Sequence, residues 1–570
     1  MTFNKISQVC SIPASIAVFL AILLTGCQAG KKTAGGDAEK IPFTTADLKA
    51  AQKVIGLSFT DNEIDTLYGT VARNLDGYQG LRQTPLENAV APALVFDPRP
   101  AGFNMAEVPA AGIAEWGLPE EVILPDNKED LAFYSVAELS VLIRTRKITS
   151  VELTGIYLER IRRYDAQLEA VITQTDSLAL VQARLADAEI AAGKYRGPLH
   201  GIPYGVKDLA SVKGYPTTWG AQPFKNQQFD FTATVVEKLE AAGAVLVAKL
   251  VSGELATGDI WFAGQTKNPW DLQQGASGSS AGSGSATAAG LVAFSIGTET
   301  WGSILSPSSQ CGATGLRPTF GRVSRYGVMT LAWSLDKVGP ICRTAQDCAL
   351  VLNAIKGRDE KDRSTIDAGF VYDADLDLKT LRVGFLEEEF SKETGKWGEN
   401  ANQALATFRS MGIEPEPITL PGGASVYALM STIIRAEAGA AFDDLVLSNQ
   451  DDDLARQTRW SRANSLRQAR FIPAVEYIQA NRYRDQLINE MKVVFDRYDA
   501  VIVPTNTGNQ SALSNLTGHP AICLPNGWDD KGRPTSISLL GGLYKENILL
   551  SIGARFQALT DFESRHPAGF

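Results

Sequence analysis

The chain has 570 residues, 44% hydrophobic and 21% charged, a composition that supports a large buried core and excludes a disordered or low-complexity scaffold. Acidic residues outnumber basic ones by 64 to 54, and the net charge of −10 speaks against nucleic acid as a partner, because phosphate binding needs a positive field. Only three histidines, His200, His519 and His566, are present to build a metal site or a histidine-based triad, and six cysteines in this length make no disulfide scaffold.

The first thirty residues read as an address. Lys5 precedes a mostly apolar run from Ile12 to Leu24. The run is short for a membrane span of about 20 residues but suits the apolar region of an export signal. It ends in Leu24-Thr25-Gly26-Cys27, which resembles the bacterial lipobox, where the cysteine is acylated and becomes the new N-terminus. The resemblance implies a signal peptide over 1–26, a lipid on Cys27 and a flexible tether over 27–44. Gln28, where an aspartate would mark inner-membrane retention, favours by the same resemblance the outer membrane of a bacterial envelope. Acyl chains would make a membrane the partner of this end, since each buried methylene contributes about 0.8 kcal/mol. A plain secretory signal is the alternative.

Residues 45–130 read as a small helical layer followed by an extended connector. Apolar residues recur at helical spacing from Ala46 to Ile55 and from Ile64 to Leu75. The stretch 90–130 is rich in Pro and Gly, including Asp97-Pro98-Arg99-Pro100.

The main body spans 131–570. Ser135–Glu138 and Thr149–Glu152 are capping-box patterns that start two helices. A helix over 234–242 leads through Gly243 into the apolar run Val245–Ala248. Leu291–Ile296, Leu381–Phe385, Ala500–Val503 and Ile537–Leu540 are further short apolar runs. Short apolar runs between helices predict an α/β fold with a mixed central sheet covered by helices on both faces. Cys311, Cys342, Cys348 and Cys523 are expected as buried free thiols, with a Cys342–Cys348 bridge as the alternative.

Three polar clusters interrupt this pattern. Residues 275–290 read GASGSSAGSGSATAAG, where small side chains permit unusual backbone angles and close approach. Thr298-Glu299-Thr300-Trp301-Gly302-Ser303 follows the next apolar run. Upstream, Gly201-Ile202-Pro203-Tyr204-Gly205-Val206-Lys207-Asp208 places a lysine after an apolar stretch. A serine hydroxyl is a weak nucleophile until a neighbour takes its proton. A lysine can take it only when neutral, and burial is what lowers its pKa.

Together the three segments resemble the amidase signature family of serine hydrolases. GIPYGVKD resembles its lysine motif, GSSAGSGSATAAG its Gly/Ser-rich signature, and GTETWGSILSPSSQCGATG the continuation through the nucleophile; Ser334–Pro340 and Asn515–Pro520 also match. The resemblance covers roughly 130–566. It implies Ser303 as nucleophile, Ser279 as bridging serine after a cis Gly278–Ser279 bond, and Lys207 as base. It also implies an oxyanion hole from the backbone N–H groups of Thr300, Trp301, Gly302 and Ser303, and no metal or organic cofactor. The expected activity is hydrolysis of a small linear amide through an acyl-serine.

The chain departs from the family pattern at Glu299 (commonly Asp), Trp301 (commonly Gly) and Leu305 (commonly Arg). Loss of the Asp/Arg pair at 299 and 305 together is expected to leave no unpaired charge, and Trp301 to narrow the oxyanion loop. The alternatives are an inert surface lipoprotein on this fold and a glutaminase like that of the tRNA-dependent amidotransferase. Gly278–Gly282 also fits G-x-S-x-G, which would make Ser280 the nucleophile with His519 or His566. His519 otherwise reads as a packed residue, the sequon at Asn515 as incidental, and Asp451–Asp453 as a solvated loop. Arg467 and Arg470, on an Arg-rich helical stretch, are carboxylate-binding candidates or surface residues.

Overall fold

The computed structural model describes residues 42–570 apart from 85, 106, 107, 109–115, 424 and 506. The apolar run before Cys27, Cys27 itself and the start of the tether lie outside the described residues. The chain divides into two units, the first ending at Gln83.

In the first unit, the helices Thr45–Val54 and Asp61–Leu81 are each started by a capping box, from Thr44 with Asp47 and from Thr60 with Glu63. Ile64 and Ala72 are the buried side chains of the longer helix, and Phe43 meets Tyr68 edge-on.

The second unit is built on one eleven-stranded sheet. Its strands in chain order are β1 (Val171–Gln174), β2 (Pro203–Lys207), β3 (Val245–Leu250), β4 (Phe294–Glu299), β5 (Thr314–Arg317), β6 (Lys337–Cys342), β7 (Val383–Phe385), β8 (Glu416–Pro417), β9 (Ala500–Pro504), β10 (Ala521–Trp528) and β11 (Pro534–Gly541). The spatial order is β1-β3-β2-β4-β6-β5-β10-β11-β9-β7-β8. Pairings β3–β2–β4 and β9–β7–β8 are parallel and the rest antiparallel, so the sheet is mixed, as expected, and helices flank it. β2, β3, β6 and β9 are buried along their whole length, which is why they read as near-continuous apolar runs.

Ser135 and Thr149 both cap helices, Val136–Arg144 and Ser150–Leu168, with reciprocal bonds from Glu138 and Glu152. The connector is held against the body of this unit. Asn88 exchanges bonds with Thr330 in both directions at 2.8 Å, and Phe96 packs edge-on against Phe320 with the Arg484 guanidinium over its ring.

The Gly/Ser tract forms a helix, Ala281–Ala288, with all eight residues buried. Glycine and serine are poor helix formers, so packing holds it there. A Cβ on Gly282 would strike the Ala170 carbonyl and the Val251 amide, so only glycine lets this helix lie so close to its neighbours. The four cysteines are free and buried; Cys342 and Cys348 are neighbours but form no disulfide.

Candidate active site

Lys207 is the last residue of β2, flanked by parallel partners on both sides, β3 and β4. Its side chain is 1% exposed. Nζ lies 2.8 Å from Ser279 Oγ, 2.9 Å from Thr298 Oγ1 and 3.1 Å from Ser280 Oγ. Burial drives this amine well below the ordinary lysine value of 10.5; Asp336 and Glu299 oppose the shift from a distance, and neither is bonded to it.

The hydrogen positions follow from counting. A neutral amine has two protons and one lone pair. The Ser280 hydroxyl donates to the Thr298 carbonyl at 3.1 Å and accepts from the Thr298 amide at 3.2 Å, so toward Lys207 it is an acceptor. Ser279 Oγ makes no other hydrogen bond among the described residues, so its proton is free to point at the Nζ lone pair. That arrangement is one in which Ser279 can pass a proton to Lys207.

Ser279 follows a cis Gly278–Ser279 bond, and its carbonyl accepts from the Gly253 amide at 3.1 Å. Ser303 comes to this place through its main chain, its carbonyl accepting from the Ser280 amide at 3.2 Å. Ser303 is 8% exposed, against 1% for Ser279 and 0% for Ser280, and its hydroxyl has no hydrogen-bond partner among the described residues. Three separate segments thus meet here: Lys207 bonds Ser279 through side chains, and Ser303, the more exposed serine, is tied in by its main chain to Ser280.

The loop before Ser303 supplies donors. Among the described residues, the amides of Thr300, Trp301, Gly302 and Ser303 donate to no protein acceptor, whereas the next two, Ile304 and Leu305, both donate to Glu299 at 2.9 and 3.1 Å. Gly302 turns the loop at φ +81°, a conformation that glycine adopts without a Cβ penalty. A run of unpaired amides on a tight loop is a cradle for negative charge. Thr300 Oγ1 donates to Asp336, which also accepts from the amides of Leu331 and Ala332, so the loop is anchored from its far side.

Position 299 carries no unpaired charge, as expected, but by a different route: Glu299 keeps a cation, so a charge pair is retained here rather than lost. Burial pushes its carboxyl up, but the Arg317 guanidinium at 2.8 Å and Asn515 at 2.9 Å hold it down at about 2. The cation comes from β5, not from position 305. The glutamate side chain reaches both that cation and the amides of Ile304 and Leu305, and so fixes the loop. Sequence reading missed Arg317; the only local hint was a charged residue ending an otherwise apolar strand.

A narrow pocket lies beside the loop, lined by Leu209, Ala256, Thr298, Thr300, Met329 and Asp336 among others. Its walls join the threonine bonded to Lys207 and the loop of free amides.

Other candidates fall away. His519 stacks on Phe495, its Nδ1 sits 2.8 Å from Thr517 Oγ1, and burial holds its imidazole at about 3, so it is a packed residue. His566 stacks on Phe133. Neither meets Ser280. Arg467 is paired with Asp451 and Asp452, and Arg470 with Asp443, so both are committed to carboxylates of this chain. Asp451 is correspondingly buried, at 3% exposed, which departs from the solvated run expected there, whereas Asp452 and Asp453 are exposed as expected. The sequon residue Asn515 is buried at 1%. Among the described residues no cluster of His, Cys, Asp and Glu could hold a metal, and no helix is long and apolar enough to cross a membrane.

Residues 152–512 match the Amidase family. The chain is 34% identical over 487 residues to a glutamyl-tRNA(Gln) amidotransferase subunit of Methylococcus capsulatus, covering 76% of this chain and 99% of that protein. Among solved structures it resembles native peptide amidase from Stenotrophomonas maltophilia, with 28% identity, a TM-score of 0.68 and coverage of 75% of this chain and 97% of the other. It also resembles the glutamyl-tRNA(Gln) amidotransferase subunit from Thermotoga maritima, with 26% identity, a TM-score of 0.64 and coverage of 76% and 97%. The fold, the match over most of the body and the lysine–serine site together make this chain a member of the amidase signature family, enzymes acting on carbon–nitrogen bonds.

Proposed function

We propose that the protein is an amidase that hydrolyses linear amides through an acyl-Ser303 intermediate, and that it works at the bacterial cell envelope on a lipid carried by Cys27. The observation that carries the chemistry is a buried amine 2.8 Å from Ser279 Oγ whose hydrogen-bond partners are all hydroxyls. Ser303 Oγ attacks the substrate carbonyl carbon, and its proton moves through Ser279 to Lys207 Nζ. The carbonyl oxygen takes the negative charge and is met by the free amides of Thr300 to Ser303; one such donor is worth roughly 3 kcal/mol of barrier. The proton returns by the same route to the leaving nitrogen, the C–N bond breaks, and ammonia or an amine departs. Water then attacks the ester, frees the acid and restores Ser303.

The test is labelling with a fluorophosphonate, which reports an activated serine. Label on Ser303 in the wild type, lost in Ser303→Ala and together with amide turnover, supports the reading; absence of label and of turnover would indicate an inert protein on this fold.

A second reading, glutaminase within an amidotransferase, is favoured by the relatives of that name. It predicts ammonia release from glutamine coupled to a partner protein. The export-type N-terminus and the acidic balance favour the amidase. The envelope location is tested by Cys27→Ser, which should move the protein from the membrane to the soluble fraction; continued membrane association rules out lipidation.

A further inference from the structure

The departure at Trp301 has a partner in the fold. Its ring lies 5.8 Å from that of Tyr427, at 48°, on the helix Ser425–Ala441. Trp301 is half-buried, one side packed against an apolar cluster that includes Leu305, Val426, Met430 and Ile433. Tyr427 is 46% exposed, yet it is held in place: its hydroxyl donates to the Gly508 carbonyl at 2.6 Å. Beside it, Asn509 Nδ2 donates to the Gly423 carbonyl at 2.8 Å, a second tie between the same two segments. Ser511, two residues further on, lies next to Gly302 of the donor loop. The loop that carries Ser303 is therefore met by two further segments, 423–427 and 508–511, and its aromatic contact is the Trp301–Tyr427 pair.

A fixed, half-exposed aromatic pair two residues from Ser303 has a use. Aromatic rings bury much area and favour offset or edge-on ring partners. A ring already locked in position loses little freedom when a ligand packs on it. We infer that Trp301 and Tyr427 form a wall that receives an aromatic or similarly flat apolar group next to the scissile bond, which makes aromatic amides the preferred substrate class. This rests on the reading of Ser303 as nucleophile.

The experiment compares kcat/KM for benzamide and acetanilide with that for acetamide in the wild type, Tyr427→Ala, Tyr427→Phe and Trp301→Leu. The ratio of aromatic to acetamide kcat/KM should fall about tenfold in Tyr427→Ala and in Trp301→Leu. Tyr427→Phe keeps the ring and loses only the tie to Gly508, so it should retain most of the ratio. An unchanged ratio in both Tyr427→Ala and Trp301→Leu, with Ser303 still labelled by a fluorophosphonate, overturns the wall alone. No label on the wild type and no cleavage of any of the three amides overturns the wall and the hydrolase reading together.

Discussion

Lys207 and Lys249 sit on adjacent parallel strands, one register step apart, and both are buried. Lys249 faces a carboxylate, Asp208 at 2.6 Å, and also bonds Thr217 and the Pro216 carbonyl. Lys207 faces only hydroxyls. Burial lowers both amines, but at Lys249 the neighbouring carboxylate opposes it, while at Lys207 the lowering runs well below the ordinary value. Burial alone therefore does not make a base. It does so where the fold withholds the counter-ion, and the same sheet supplies one at the next strand, where the lysine holds the chain together.

The largest effect that comparison predicts is at Lys207. Lys207→Met keeps the bulk and removes the proton acceptor, and kcat should fall by roughly 10³-fold or more, with Ser303→Ala abolishing turnover. Unfolding by urea should change little for Lys207→Met, because no carboxylate is left stranded. Lys249→Met does the reverse. It leaves Asp208 buried and uncompensated, and should lower stability by about 3 kcal/mol. A Lys249→Met protein as stable as the wild type would break the distinction between the two lysines.

The contrast also has a pH signature. Turnover requires neutral Lys207, so kcat/KM should rise with pH through the lowered pKa of that amine and fall away on the acid side. Stability moves the same way. The unfolded chain binds a proton on each lysine below about 10.4, whereas the folded state leaves Lys207 and Lys337 neutral down to their lowered values. The unfolded state binds more protons in that window, so stability increases as pH rises, by up to about 1.4 kcal/mol per pH unit for each such group. Because buried thiols and tyrosines with raised pKa values work in the opposite direction at alkaline pH, the contribution is read as the difference in slope between the wild type and Lys207→Met in urea titrations between about pH 7 and 8, below the ordinary thiol value of about 8.5; no difference would mean that this amine is charged in the fold.

The parts of this site that were legible in the sequence are those whose chemistry is local. The Lys207–Ser279 contact and the cis bond before Ser279 were expected from short motifs, and the helix starts at Ser135 and Thr149 need only a partner three residues away. What was not legible depends on contacts that only the closed fold creates. Glu299 finds Asn515 across 216 residues, and Tyr427 finds Gly508 across 81. Arg467 and Arg470 looked free for a ligand because nothing in the sequence shows that Asp451 and Asp443 fold back onto them. The Gly/Ser tract hid its helix because close packing, not propensity, holds it.

Lys337 completes the series of buried amines and gives the smallest effect. It pairs in register with Glu299 across β4 and β6, is fully buried, and its Nζ has no hydrogen-bond partner among the described residues. Burial, with Arg317 beside it, drives its pKa well below the ordinary value, against the opposing charges of Glu299 and Asp336. Glu299 gives it no hydrogen bond, since both carboxylate oxygens already accept two donors each from Arg317, Asn515, Ile304 and Leu305. An orphaned buried amine is a cost to the folded state, and replacing it with an apolar side chain of the same length removes that cost. Lys337→Met should therefore raise stability by about 1 kcal/mol near neutral pH and flatten the alkaline slope by one proton, with turnover retained. A loss of stability on this substitution would show that the amine carries a charge paired with Glu299, and Lys337 would then belong with Lys249 rather than with Lys207.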